Sequence, residues 1–214
     1  MKIDRTKNAG RNIVFGCMLK IYQIVMPFIM RTLMIYYMGI QYLGLNSLFT
    51  SILQVLNLAE LGVGSAMVYS MYKPIAVDDK KMICALMKLY RTYYRVIGII
   101  IAFLGLCLVP FIPKLIKSDV PADINIYVLY ILNLSVTVLS YWLFAYKNCL
   151  LDAHQRTDVA SKVTLVTNTL QYIVQFFTLC ILKNYYAYII VSLAAQALTN
   201  ILTAVVATRM YPDY

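Results

Sequence analysis

Six long apolar stretches run along the chain, at about 12–38, 45–72, 82–113, 124–151, 159–182 and 185–208. Each is long enough for the roughly 20 residues that carry an α-helix across a bilayer core of ~30 Å. None alternates with period two, as the strands of a membrane barrel would. The pattern therefore predicts an all-α protein, a polytopic bundle of six transmembrane helices in one domain covering residues 1–214. The third stretch starts as an amphipathic segment near Met82 and becomes wholly apolar from 96 to 113. Gly39 and Gly44 bracket the first turn and Lys73-Pro74 closes the second helix. Pro110, Pro113 and Pro121 punctuate the third connection, and Lys183-Asn184 makes a tight turn before the last helix.

Polar residues interrupt these stretches with helical spacing. At 100° per residue, Lys20, Gln23, Pro27 and Arg31 share one face of the first helix. Asn46, Thr50, Asn57, Glu60 and Gly64 align on the second, and Lys88, Arg91 and Arg95 on the polar half of the third. The fourth carries Asn133, Thr137, Ser140 and Lys147. The fifth carries Thr164, Asn168, Gln171, Gln175 and Thr178, and the sixth Ser192, Gln196, Thr199 and Thr203. Lipid cannot satisfy such groups, so the stripes must face one another or a water-filled cavity. As interhelical glue each would contribute about 0.6 kcal/mol and seldom more than about 2. Stripes on all six helices exceed what packing requires and favour a hydrophilic lumen.

Composition agrees with a lipid solvent. Of 214 residues, 62% are hydrophobic and 13% charged, with a mean hydropathy of +0.73; a soluble domain carries about 25% charged residues. The net charge of +10 is distributed by topology. With the N-terminus inside, fourteen lysines and arginines fall on the cytoplasmic side: Lys2, Arg5, Lys7, Arg11, Lys73, Lys80, Lys81, Lys88, Arg91, Arg95, Lys147, Arg156, Lys162 and Arg209. Only Lys114, Lys117 and Lys183 fall opposite. This asymmetry places both termini in the cytoplasm and accounts for the charge without a nucleic-acid partner. The first stretch is too long for a secretory signal and lacks a small-residue cleavage site, so it is expected to stay as an uncleaved span.

The usual material of catalysis is missing. Cys17, Cys84, Cys107, Cys149 and Cys180 are scattered without C-x-x-C or Cys/His spacing and are expected to be packing residues. His154, the one histidine, sits in a short loop and is expected to be solvated. With no acid pair and no Gly-rich phosphate loop, the expectation is a protein that is not an enzyme and uses no cofactor or metal. Glu60, the one glutamate, lies well inside the second helix, where a lone charge costs at least roughly 2.5 kcal/mol. Arg31 on the neighbouring helix is its expected partner. Lys20 and Arg31 could also snorkel toward the interfaces, and Arg91 and Arg95 could be ordinary anchors on the positive side. If these cations line a cavity, its potential attracts anions, and the arginine fork matches phosphate oxygens.

Three segments resemble a known family. They are 42–74, YLGLNSLFTSILQVLNLAELGVGSAMVYSMYKP, then 89–95, LYRTYYR, and 146–156, YKNCLLDAHQR. Together with the pattern of the whole chain, they are similar to the bacterial polysaccharide flippases. These are the Wzx-like, O-antigen and teichoic-acid exporters of the multidrug/oligosaccharidyl-lipid/polysaccharide (MOP) superfamily. The resemblance implies flipping of undecaprenyl-pyrophosphate-linked oligosaccharide across the bacterial inner membrane by alternating access, for cell-envelope polysaccharide synthesis. It implies one six-helix lobe of a two-lobed, MATE-like carrier with a cationic cavity between lobes, and coupling to an ion gradient is common in the superfamily. Pyrophosphate would then meet Arg31, Lys20, Arg91 or Arg95, and sugar would meet amides such as Asn57, Asn168 and Gln171, with Glu60 in the same lumen. Only the N-terminal lobe is matched, so the expected partner besides the lipid bilayer is a missing C-terminal lobe, a second copy or another half-transporter. The chain is read as a fragment of such a carrier. The alternatives are half of a cation-coupled multidrug antiporter and a non-transporting scaffold of envelope synthesis.

Overall fold

A computed structural model describes residues 5–57, 62–116, 121 and 123–213. Glu60, Lys2 and Lys117 lie outside the described residues, as do the side chains of Arg5 and Lys7. The described chain is helical, with no strand among its residues. Helix α1 spans Arg5–Tyr37, α2 Ile40–Asn57, α3 Val63–Ala76 and α4 Lys80–Leu108. A 3₁₀ turn at Val109–Phe111 leads from α4 into a short α5, Ile112–Leu115. Then follow α6 Ile126–Trp142, α7 Tyr146–Ala153, α8 Thr157–Phe177 with a closing π turn Thr178–Leu182, and α9 Tyr185–Met210.

The boundaries have local causes. Gly39, at φ +111°, ends α1 in a conformation that residues with a Cβ rarely adopt. Asp79 caps α4 by accepting from the Met82 amide at 3.0 Å, Asn125 caps α6 through Tyr127, and Asn184 caps α9 through Ala187. Pro110 and Pro113 lack the N–H that an α-helix would use, and the ladder tightens to 3₁₀ around them. Two expected turn residues fall inside helices instead. Gly44 lies one turn into α2, and α3 continues through Pro74 to Ala76.

Four helical segments are long and apolar enough to cross a membrane: Asn8–Tyr37, Lys80–Leu115, Thr157–Leu182 and Tyr185–Met210. A fifth is added if α6 and α7, bent by 48° at residues 143–145, are one broken span. The stretch expected at 45–72 is carried by α2 and α3, with 58–61 outside the described residues.

The long helices form a ring in which α1 packs on α8, α8 on α9, α9 on α6, α6 on α4, and α2 bridges α4, α6 and α1. The short α3 and α7 pack on each other at one end, which also holds the start of α1 and the finish of α9. The core lies where α2, α4 and α6 meet, with Phe49 and Tyr130 in edge contact at 5.7 Å, and where Met71, Ile83, Leu150 and Leu151 join α3, α4 and α7. The circumference is the reverse of a soluble protein. Ile24, Phe28, Phe103, Val166 and Ile181 are each more than 60% exposed, a continuous apolar surface that only lipid accommodates. This is a membrane-embedded protein.

Two expectations about single residues are corrected. His154 is 4% exposed rather than solvated, because Tyr211 beyond α9 folds back over its ring at a centroid distance of 4.1 Å. Of the cysteines, Cys149 is buried and Cys180 half-buried, but Cys17, Cys84 and Cys107 are on the exposed surface.

Candidate functional site

Five helices contribute polar side chains to one concave cavity of about 530 Å³. Its charged lining residue is Arg31, one turn beyond Pro27 on α1. Asn46, Thr50, Gln54 and Asn57 line it from α2, at spacings that repeat on one helical face. Asn133 and Thr137 come from α6, Gln171 and Gln175 from α8, and Ser192 from α9, each pair one turn apart.

The wall toward α8 and α9 is fixed by hydrogen bonds. The Gln175 side chain, 1% exposed, donates to Ser192 Oγ at 2.7 Å and to the Tyr188 carbonyl at 3.2 Å. Gln171 donates to the same hydroxyl at 3.4 Å. On α2 and α6 the hydroxyls fold back on their own helices, Thr50 to the Asn46 carbonyl at 2.7 Å and Thr137 to that of Asn133 at 3.4 Å. Their oxygens keep lone pairs for a guest. Arg31 is exposed to the cavity and makes no ion pair among the described residues. Its fork of donors therefore faces the cavity with no acceptor among the described residues.

The stripes divide along their length. Nearer the end that holds α3 and α7, the polar groups satisfy one another: Thr199 donates to Thr167 Oγ1 at 2.7 Å, Gln196 to Asn200 at 3.2 Å, and Asn200 to the Ser140 carbonyl at 3.0 Å. That half is interhelical glue. The half toward the α1–α2 turn is open.

Of the eight residues expected to form the site, the structure brings Arg31, Asn57 and Gln171 to this cavity. Asn168, one turn before Gln171, is not among its lining residues. Lys20 is exposed on α1, eleven residues or about 16 Å of helix from Arg31. Arg91 and Arg95 stand on an exposed face of α4, a helix that does not line the cavity. Glu60 lies outside the described residues, so its expected pairing with Arg31 does too.

A second cavity, about 730 Å³, opens beside the first; of the expected stripe residues, Gly64 and Ser140 line it. Tyr69 and Tyr72 of α3, Tyr94 of α4, Tyr141 of α6, and Asn148 and Asp152 of α7 line it. Tyr141 joins the two sites. Its ring stacks on Tyr94 at 6.3 Å, and its hydroxyl donates to Asn57 Oδ1 at 3.2 Å. The i, i+3 tyrosine pair on α3 and the i, i+4 Asn/Asp pair on α7 were the available signals, masked by tyrosine's frequency of 19 in the chain.

At the α7–α8 turn, burial pushes the His154 imidazole below its ordinary pKa against an opposing hydrogen bond to the Leu150 carbonyl at 2.8 Å. Asp158 is fully buried with Arg156 at 2.9 Å and Lys162 at 3.3 Å. Neither His154 nor Asp158 lines either cavity. Among the described residues, no three His, Cys, Asp or Glu side chains stand where they could hold a metal ion. What the site offers is a binding surface of one cation with amides and hydroxyls, able to hold an anionic, hydroxyl-rich guest. Compared with known protein families, characterised proteins and solved structures, the chain matches none of them.

Proposed function

We propose that this chain is a six-span lobe of a carrier that moves a lipid-linked oligosaccharide across the bacterial plasma membrane, with both termini in the cytoplasm. The observation that carries the reading is Arg31, standing without an ion-pair partner among the described residues in a cavity of amides and hydroxyls from five helices. A cation at membrane depth with no ion-pair partner is costly unless water or an anion meets it. The volume lies within the ~300–1,000 Å³ of small-ligand sites, and the amide-rich walls suit sugar hydroxyls beside a phosphate. The sixth span is α2 and α3 taken together, and the fourteen-to-three distribution of basic residues sets the orientation. Because the cavity is open, the carrier needs a second lobe facing the same side, whether a C-terminal lobe, a second copy or another half-transporter. A cation antiporter would use a carboxylate in the lumen, and none lines this cavity among the described residues.

The test is polymer export in cells lacking their own exporter and supplied with this protein and its second lobe. Arg31→Ala is expected to reduce export at least tenfold with membrane insertion unchanged, and Arg31→Lys to restore part of it. Normal export by Arg31→Ala, at equal protein in the membrane, overturns the assignment.

A further inference from the structure

The outer face of α4 changes character along its length. Lys81, Lys88, Arg95 and Ala102 recur every seventh residue and so share one face, with Arg91 and Leu106 beside them. The four cations are exposed, and no ion pair engages them among the described residues. The nearest acids in sequence, Asp78 and Asp79, lie before the helix starts, and Asp213 is taken by Lys80 at 2.6 Å.

One turn and more beyond Arg95, the same face enters an apolar groove of about 370 Å³ between α4 and α6. Ala102 and Leu106 form one wall, and Leu134, Val138 and Leu139 the other. Trp142 closes the groove at the cationic end. It is the one tryptophan of the chain, 48% exposed, and its indole N–H donates to the Arg95 carbonyl at 3.3 Å. Tryptophan settles at the membrane–water interface, so Arg95 stands at headgroup depth and the groove at acyl-chain depth. The groove residues of α6 lie on the face opposite Asn133 and Thr137, away from the polar cavity.

We propose that this face binds an anionic phospholipid of the surrounding bilayer, its phosphate against Arg95, Arg91 and Lys88 and one acyl chain in the groove. Charge complementarity selects the occupant: a zwitterionic lipid fits the groove equally well but gains little net attraction from three cations with no ion pair among the described residues. Basic side chains at a membrane surface each attract anionic lipid by an amount equivalent to about fivefold in affinity. The site is independent of the transport reading, because it lies on the lipid-facing side and uses none of the cavity residues.

The single tryptophan supplies the assay. The full chain is reconstituted in phosphatidylcholine vesicles, and Trp142 fluorescence is quenched with lipids brominated on their acyl chains. Brominated phosphatidylglycerol is expected to quench with a relative affinity at least about fivefold above brominated phosphatidylcholine. The triple variant Lys88→Gln/Arg91→Gln/Arg95→Gln should bring that ratio close to one while leaving quenching by phosphatidylcholine unchanged. Ala102→Phe, which fills the groove, should weaken quenching by both. Equal quenching by the two lipids in the native protein overturns the proposal, as does a preference that survives the triple variant. Inorganic phosphate that displaces the anionic lipid, where chloride at equal ionic strength does not, would mark a free-anion site and overturn it as well.

Discussion

Leu134 of α6 occupies the space that Gly105 of α4 leaves by having no side chain. A Cβ on Gly105 would fall 2.4 Å from Leu134 Cδ1 and 2.8 Å from Cδ2, and Leu134 is 4% exposed with little room to turn. The contact is locked further by Tyr130, whose hydroxyl donates to the Gly105 carbonyl at 3.0 Å. Close backbone approach at small residues is how helices associate in lipid, where no hydrophobic drive exists between them. Gly105→Val is expected to cost about 1–3 kcal/mol by overpacking and to lower the melting temperature in detergent. Gly105→Val/Leu134→Ala should recover at least half of that loss. Additive losses in the double variant would show that the two residues do not share the space.

The start of α1 is held to the α7–α8 turn by one side chain. Asn12 donates to the Gln155 carbonyl at 3.0 Å and accepts from the Asp158 amide at 2.9 Å, while Lys162 lies 4.1 Å from the Phe15 ring centroid. Each hydrogen bond is worth about 0.5–1.5 kcal/mol net, so Asn12→Ala should cost about 2 kcal/mol. Hydrogen exchange should rise at the Asp158 amide and along the first turns of α1. Unchanged exchange there would mean that α1 is held by its contact with α8 alone.

His154 makes the fold sensitive to acid. Its pKa is lowered in the folded protein by burial, so the unfolded chain binds the proton more readily. Stability from this residue is complete above the ordinary value of about 6.5 and is lost as pH falls below it. His154 therefore contributes a downward slope of the melting temperature as pH falls from 7 to 5. His154→Phe, which keeps a ring against Tyr211 but cannot titrate, should reduce that slope. An identical slope in both proteins would place the acid sensitivity elsewhere.

The stretches found by hydropathy recur as helices, since length and apolarity are local properties. Where a break needed no special residue, the sequence was silent. The bend at 143–145 includes Phe144 at φ +57°, with neither glycine nor proline to mark it. Gly62, at φ +86°, did carry a signal at the start of α3, but the apolar run continued through it. The polar stripes were legible from their period of 3.6 residues. Which part of a stripe is open and which is consumed depends on where neighbouring helices diverge, and no single helix encodes that. Thr199 and Gln171 look alike in sequence, yet one is bonded to Thr167 and the other faces the cavity. Likewise Arg31 and Arg95 are both polar-stripe cations, and only their position on lining or outer helices separates them. His154 was expected to be solvated because loops usually are; its cover, Tyr211, comes from 57 positions further along the chain.

The division of the stripes can be tested by labelling. In a variant with Cys17, Cys84, Cys107, Cys149 and Cys180 replaced by serine or alanine, single cysteines are placed at Asn133 and Thr137, which line the cavity, and at Thr167 and Thr203, which are buried between helices. A charged, membrane-impermeant maleimide reacts only with a thiolate in contact with water. If the cavity is a hydrated lumen, positions 133 and 137 should react at least tenfold faster than 167 and 203 in reconstituted vesicles permeabilised to the reagent. An excess of pyrophosphate, attracted to Arg31, should slow the reaction at 133 and 137, and Arg31→Ala should abolish that protection. Four equally inert positions would mean that the whole length of each stripe is glue, and the scaffold reading would replace the carrier. Reaction without pyrophosphate protection would leave a water-filled lumen whose guest is not an anion, and the assignment of Arg31 to phosphate would fall with it.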